Sequence, residues 1–238
     1  MDGFPKNVKL ISTQRFIHGG RSSGNFNNFN LALHVNDNKE NVIENRNILE
    51  GLFNLPSSPV WINQVHSSIC IDAALTNTII EADASFTSRV GIVCGIMTAD
   101  CLPVFVSKKN GTMVGLAHAG WRGLVSGVID NLIKSFNSDG EHLIVHLGPA
   151  ISKHYFEVGE EVMRLYLSKN VNFERSFLIK NNKIYLDLYD AAKVILEGLH
   201  INSISGGDRC TFHESEDFFS YRRDGLNSGR MAHLIWME

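Results

Sequence analysis

Cysteine and proline are scarce, with four of the former and five of the latter among 238 residues. The thiols Cys70, Cys94, Cys101 and Cys210 make no CxxC pair and show no disulfide-framework spacing, so neither a stapled secreted scaffold nor a zinc ribbon is indicated. No mainly apolar run approaches the ~20 residues that cross a bilayer, which argues against a membrane-spanning helix. A basic stripe is missing too, and a net charge of -3 is wrong for a general nucleic-acid binder. The opening MDGFPKNVKL lacks an apolar signal core, so we expect a cytoplasmic protein with reduced thiols. Repeats, low-complexity linkers and dividing charge runs are likewise absent, which predicts one domain over residues 1–238.

What is there is an ordinary globular composition, 44% apolar and 20% charged, on a chain long enough to bury a substantial core. Loose alternation from Val8 to Ile17 predicts an edge strand, and the Gly, Ser and Asn rich stretch His18 to Asn30 predicts a long, functional loop. A helix is expected from an N-cap at Asn36 or Asp37 to Leu52, with Val42, Leu49 and Phe53 inward. Strand composition marks Val60 to His66, Asp83 to Thr87, Gly91 to Ala99, Met113 to Ala117 and Leu143 to Leu147. Helical spacing of apolar residues runs from Leu124 to Phe136, from Val158 to Leu167, and from Leu188 to Leu199 after a strand entry at Ile184. Ile204 to Thr211 and Ala232 to Met237 complete the strands. The elements mix without strict alternation, so an α/β (α+β) layered fold with mixed sheets flanked by helices fits better than a doubly wound one.

Three residues that bind metals close predicted strands. His66 ends Val60 to His66, Cys101 follows Asp100 after Gly91 to Ala99, and His118 follows Met113 to Ala117. Three nitrogen and sulfur ligands with an open fourth position make a catalytic zinc site. Cys101 and His118 equally suit a metal-free thiolate and imidazole pair, and a lone histidine at a strand end is commonly structural. His34, His142, His146, His154, His200 and His233 lack such company and are read as structural. The turn AHAGWRG after the second strand offers backbone amides and Arg122 to an anion, or is simply a tight turn on which Trp121 packs.

NQVH at 63–66, TADCLPVFV at 98–106, AHAGWRG at 117–123, LGPAIS at 147–152, YFEVGEEV at 155–162 and SYRRDG at 220–225 together resemble the laccase-domain family, also called YfiH-like or multicopper polyphenol oxidase type. The resemblance implies that His66, Cys101 and His118 bind one zinc ion, in a fold similar to cysteine-hydrolase-like toxins. It implies a purine nucleoside phosphorylase acting on adenosine, inosine, guanosine and methylthioadenosine, with adenosine deaminase activity. Purine nucleosides and phosphate are then the small-molecule partners, with no nucleic acid or membrane. Copper is the weaker expectation, because a laccase needs several copper centres and this chain has no His-x-His motif. Catalytic roles fall to Cys101, Asp100 and Arg122, with Asp100 orienting a ligand or binding substrate and Arg122 holding phosphate. The loop from His18 to Asn30 is expected over the sugar or base. Departures are Phe16-Ile17-His18 before the paired glycines, where the family commonly has Thr-Arg, and Ala150 and Tyr155 where it often has cysteines. The rival readings are a Cys101 and His118 hydrolase acting in peptidoglycan precursor editing, and a zinc-stabilised binding module.

Overall fold

The computed structural model describes residues 3–75 and 78–238. A four-stranded sheet has the order β1 (Val8–Ser12), β13 (Met231–Met237), β5 (Cys94–Thr98), β2 (Val60–Trp61). A six-stranded sheet runs β12 (Ile204–Gly206), β8 (Leu143–Leu147), β6 (Leu102–Lys108), β7 (Val114–Ala119), β4 (Ala84–Thr87), β3 (Cys70–Asp72). The third sheet is β10 (Phe177–Lys180), β11 (Lys183–Leu186), β9 (Glu157–Val158). The helices are α1 (Lys39–Leu52), α2 (Trp121–Ser126), α3 (Val128–Ser135), α4 (Glu160–Lys169), α5 (Leu188–Gly198) and α6 (Tyr221–Asp224). Parallel and antiparallel pairs coexist in the two larger sheets, the mixed layered α/β architecture expected.

Side-chain alternation explains the layers. On β6, Leu102, Val104 and Val106 pack against α3 and α5, while Phe105 points into a second core shared with the four-stranded sheet. On β7, Ala117 and Ala119 face the helices and Val114 and Leu116 face the other sheet. Strands buried on both faces read as continuous apolar runs, which is why these stretches show no polar alternation. The four-stranded sheet repeats the arrangement, with Ile96 and Ile235 inward and Met97, Leu234 and Trp236 meeting Leu49 of α1 on the far side.

Several boundaries differ from expectation, each for a local reason. The helix foreseen over 124–136 is two, because Gly127 turns into the left-handed region at φ 90° between α2 and α3. The N-cap of α1 is Asn38, whose side chain accepts from the Glu40 and Asn41 amides, and not Asn36 or Asp37. The strand from Ile204 stops at Gly206, since Gly206 and Gly207 both have positive φ. Helical spacing puts Leu165 of α4 on one side with Val158, Val162 and Tyr166, yet Leu165 is exposed while Val162 and Tyr166 are buried. Leu102–Lys108 is the strand the sequence hid, running on from Gly91–Ala99 with one polar break.

Candidate metal centre and its cavity

Strand register assembles the centre. β6 and β7 are antiparallel with Pro103 opposite His118, so the start of β6, next to Cys101, meets the end of β7. β4 pairs β7 with Ala84 opposite Ala117, which sets Asp83 beside His118. His118 shares the face of Val114 and Leu116 and therefore points into the gap between the two larger sheets. Cys101 begins where the chain passes from β5 in one sheet to β6 in the other. His66 is not at a strand end, because β2 stops at Trp61 and His66 sits in a bend at φ 60°.

His66, Cys101 and His118 are brought together as expected: each offers one ligand atom, all within 4.8 Å of one another. Cys101 Sγ is 3.8 Å from His66 Nε2, and the two imidazoles meet edge to face with centroids 4.8 Å apart. One sulfur and two nitrogens at this spacing can hold a metal ion with small side-chain adjustments. Burial would raise the Cys101 thiol, but His118 and His66 outweigh it and hold the thiol below its ordinary value. Burial would lower His118, and Cys101 and Asp83 reverse that and raise it. The pair favours a thiolate facing an imidazolium in the metal-free chain.

Asp83 escaped the sequence reading, which saw it only as the first residue of a strand. Its fully buried carboxylate accepts from His118 Nδ1 at 2.7 Å, from the amides of Val65, His66 and Ser67 at 3.2, 3.0 and 2.5 Å, and from Ser67 Oγ at 2.8 Å. One side chain thus orients His118 and ties down the bend that carries His66. Gln64 fixes the approach to that bend by pairing with both the N–H and the C=O of Met97, at 2.8 and 2.7 Å, as a neighbouring strand would.

Gly120 is required sterically, although its φ of -68° suits any residue. A Cβ there would lie 2.9 Å from His66 Cδ2 and 3.0 Å from Cys101 Sγ. Both neighbours are side-chain ends that can swing aside, and His66 is exposed, so the fold tolerates the methyl while the ligand cluster spreads. Gly120→Ala is expected to weaken metal binding by at least about tenfold with a change in stability under about 1 kcal/mol. Competition with a metallochromic chelator and a melting curve together check this.

The cluster opens into a cavity of about 520 Å³. Its wall carries the aromatic rings of Trp121, Phe156 and Tyr221 and the guanidinium groups of Arg122, Arg222 and Arg230, stacked over those rings at 4.1, 5.1 and 5.7 Å respectively. Asp100 is the one carboxylate in the lining. It accepts from Thr211 Oγ1 at 2.6 Å and from the Arg222 amide at 2.6 Å, so it pins the start of α6 beside the cluster. Arg122 is exposed and makes no hydrogen bond or ion pair among the described residues. The loop 18–30 contributes nothing to the lining among the described residues; Asn45 of α1 holds it in place through Ser22 Oγ and the carbonyls of Asn28 and Asn30. His34, read as structural, does line the cavity, whereas His233 is locked between Ser12 and Thr98 at 2.8 Å on each ring nitrogen. Tyr221 and Arg222 fall in the SYRRDG motif with no role expected of them, and Arg230 lies in none of the motifs.

Residues 9–238 match the family model for multi-copper polyphenol oxidoreductase laccase. The chain belongs to that family. A purine nucleoside phosphorylase named YfiH from Escherichia coli is 42% identical over 98% of this chain and 95% of its own length. A purine nucleoside phosphorylase from Haemophilus influenzae is 41% identical over 98% and 96%. Among solved structures, a Neisseria meningitidis protein of the DUF152 family superposes with a TM-score of 0.94 at 41% identity, covering 99% of this chain and 96% of that one. YlmD from Geobacillus stearothermophilus superposes at 0.87 with 26% identity, over 98% and 93%. The family is named for copper, yet among the described residues one group of three metal-binding side chains is present, where a multicopper oxidase needs several. No helix among the described residues is long and apolar enough to cross a membrane.

Proposed function

We propose that this chain is a purine nucleoside phosphorylase of the reducing cytoplasm, with one zinc ion held by His66, Cys101 and His118. The observation that carries the reading is a ligand cluster opening into a cavity with three guanidinium groups against one carboxylate, in a chain 42% identical over almost its full length to a protein of that name. A mixed thiolate and imidazole donor set suits zinc, and free thiols suit a reducing compartment. When bound, the ion supplies Lewis acidity and a more acidic water.

The chain's own residues account for the rest. In phosphorolysis the bond between the sugar's anomeric carbon and the purine nitrogen breaks while a phosphate oxygen bonds to that carbon. Hydrogen phosphate gives up its proton and the released purine gains one. The electropositive wall attracts the dianion and the aromatic rings offer faces to sugar and base. Arg122 reaches the rim with its donors free, and Asp100 positions the Arg222 main chain. The six-residue helix α2 is too short to serve as an anion site by its dipole alone, so Arg122 carries that expectation.

The test is phosphate-dependent release of base from inosine, guanosine, adenosine and methylthioadenosine. No release from any of them at saturating phosphate sinks the reading. Adenosine deamination is proposed for the same pocket, and ammonia release without phosphate is its measure. One observation favours the hydrolase reading: Asp83, His118 and Cys101 follow one another as orienting carboxylate, base and nucleophile. Rapid alkylation of Cys101 in the metal-loaded protein would support that rival, and protection would support ligation.

A further inference from the structure

Arg230 is unusual among the arginines of this chain. Arg209, Arg223 and Arg175 are ion-paired, and Arg222 uses both terminal nitrogens on the carbonyls of Tyr155 and Glu157. Arg230 is half-buried, lines the cavity and has no carboxylate partner among the described residues. Its Nη1 donates to the carbonyls of Ser228 and Gly229 at 2.6 and 2.9 Å, and its plane lies over Tyr221. Among the described residues, Nε and Nη2 make no hydrogen bond. Those two nitrogens share one edge of the guanidinium, the edge that takes two oxygens of a carboxylate or phosphate in parallel.

The backbone holds this residue still. The Arg230 amide donates to Asn30 Oδ1 at 2.9 Å, its carbonyl accepts from Leu31 at 3.3 Å, and β13 begins at the next residue. Arg230 lines the same cavity as His66, Cys101 and His118, and the charges of Cys101 and Asp100 act on it, whereas Arg122 stands exposed. Asp100 and Cys101 act on this cation without bonding to it, and its Nε and Nη2 edge keeps its N–H donors free for the oxygens of an anion.

We propose that Arg230 is the inner phosphate-binding residue of this cavity, its Nε and Nη2 gripping two oxygens of the dianion while Arg122 approaches from the rim. The assignment rests on the phosphorolytic reading for its kinetic consequence, but not for binding itself. Arg122 is exposed, so solvent screens its charge and its contribution is the smaller of the two.

Two measurements separate the assignment from that reading. In steady-state assays with inosine, Arg230→Met is expected to raise the KM for phosphate at least about tenfold while the KM for inosine stays within about twofold. Arg230→Lys should recover only part of the loss, because a point charge cannot form the two-oxygen fork. Inorganic phosphate alone, titrated calorimetrically into the wild type without nucleoside, should bind, and binding should be lost in Arg230→Met and weakened in Arg230→Lys. Should Arg230→Met fail to fold, Arg230→Lys decides. An unchanged phosphate KM or unchanged phosphate binding in the folded variant overturns the proposal, as does a loss produced only by Arg122→Gln. Phosphate binding that depends on Arg230 in a chain without phosphorolysis would sustain the anion site and remove the phosphorylase reading.

Discussion

Cys101→Ala, purified beside the unaltered chain, is expected to retain less than about a tenth of its zinc and to release no measurable base from inosine. Cys101 is the one ligand able to carry negative charge, and the two histidines beside it make it a thiolate more readily than a free cysteine. Without that charge two neutral imidazoles remain, one of them the exposed His66 on a bend. Two ligands of that kind leave binding too weak to survive purification. The fold itself should persist, since Cys101 is only half-buried and lies outside the fully buried cores. After chelation both chains should therefore melt within a few degrees of each other, and zinc should raise the melting temperature of the wild type alone. Stoichiometric zinc in Cys101→Ala, or in the triple variant that also replaces His66 and His118 with alanine, would place the metal elsewhere.

How far the centre could be read in advance depends on how each residue reaches it. His118 and Cys101 sit where apolar strands run out, and a strand end is legible as a change of composition. His66 is found through its motif although the strand expected from its composition is five residues too long; the bend at φ 60° leaves no mark in a sequence of β-branched and polar residues. Asp83 was missed because its role lies in pairing across β4 and β7, a register that no local pattern encodes. Gly120 looked like freedom for a turn, whereas the requirement is the space that two ligands occupy. The cavity wall had a compositional signal in its arginines, but which guanidinium has unused donors is set by carbonyls of residues 155, 157, 228 and 229, and main-chain acceptors are invisible in sequence. The layers were legible for the opposite reason. Strands covered on both faces must be mainly apolar, and β5, β7 and β13 are, broken only by Thr98, His118 and His233.

Asp83→Asn should be the most damaging change that leaves all three ligands in place. Burial would raise the Asp83 carboxyl, but the bonds from His118 and Ser67 prevail and hold it at about 2, below its ordinary 3.8. Its two oxygens face donors only: His118 and the His66 amide on one, and the Val65 amide with the Ser67 amide and hydroxyl on the other. An asparagine must turn its NH2 toward one of these groups. Facing Ser67 and Val65 it breaks the bend that carries His66. Facing His118 it asks Nδ1 to become an acceptor, which moves the ring proton to Nε2. Either way a buried donor is left unsatisfied at a cost of roughly 1–3 kcal/mol, and metal affinity should fall about 10–100-fold. The pH dependence gives an independent signature. Because the folded value is depressed, the stabilisation by Asp83 is full above about 4 and is lost as pH falls through about 2, a contribution on the order of 2 kcal/mol. Melting temperatures of the chelator-stripped wild type should therefore fall more steeply between pH 4 and 2 than those of Asp83→Asn, about which the same acid range should change little at this position. Parallel acid profiles, or zinc affinity equal to that of the wild type, would show that Asp83 does not hold the two histidines in place.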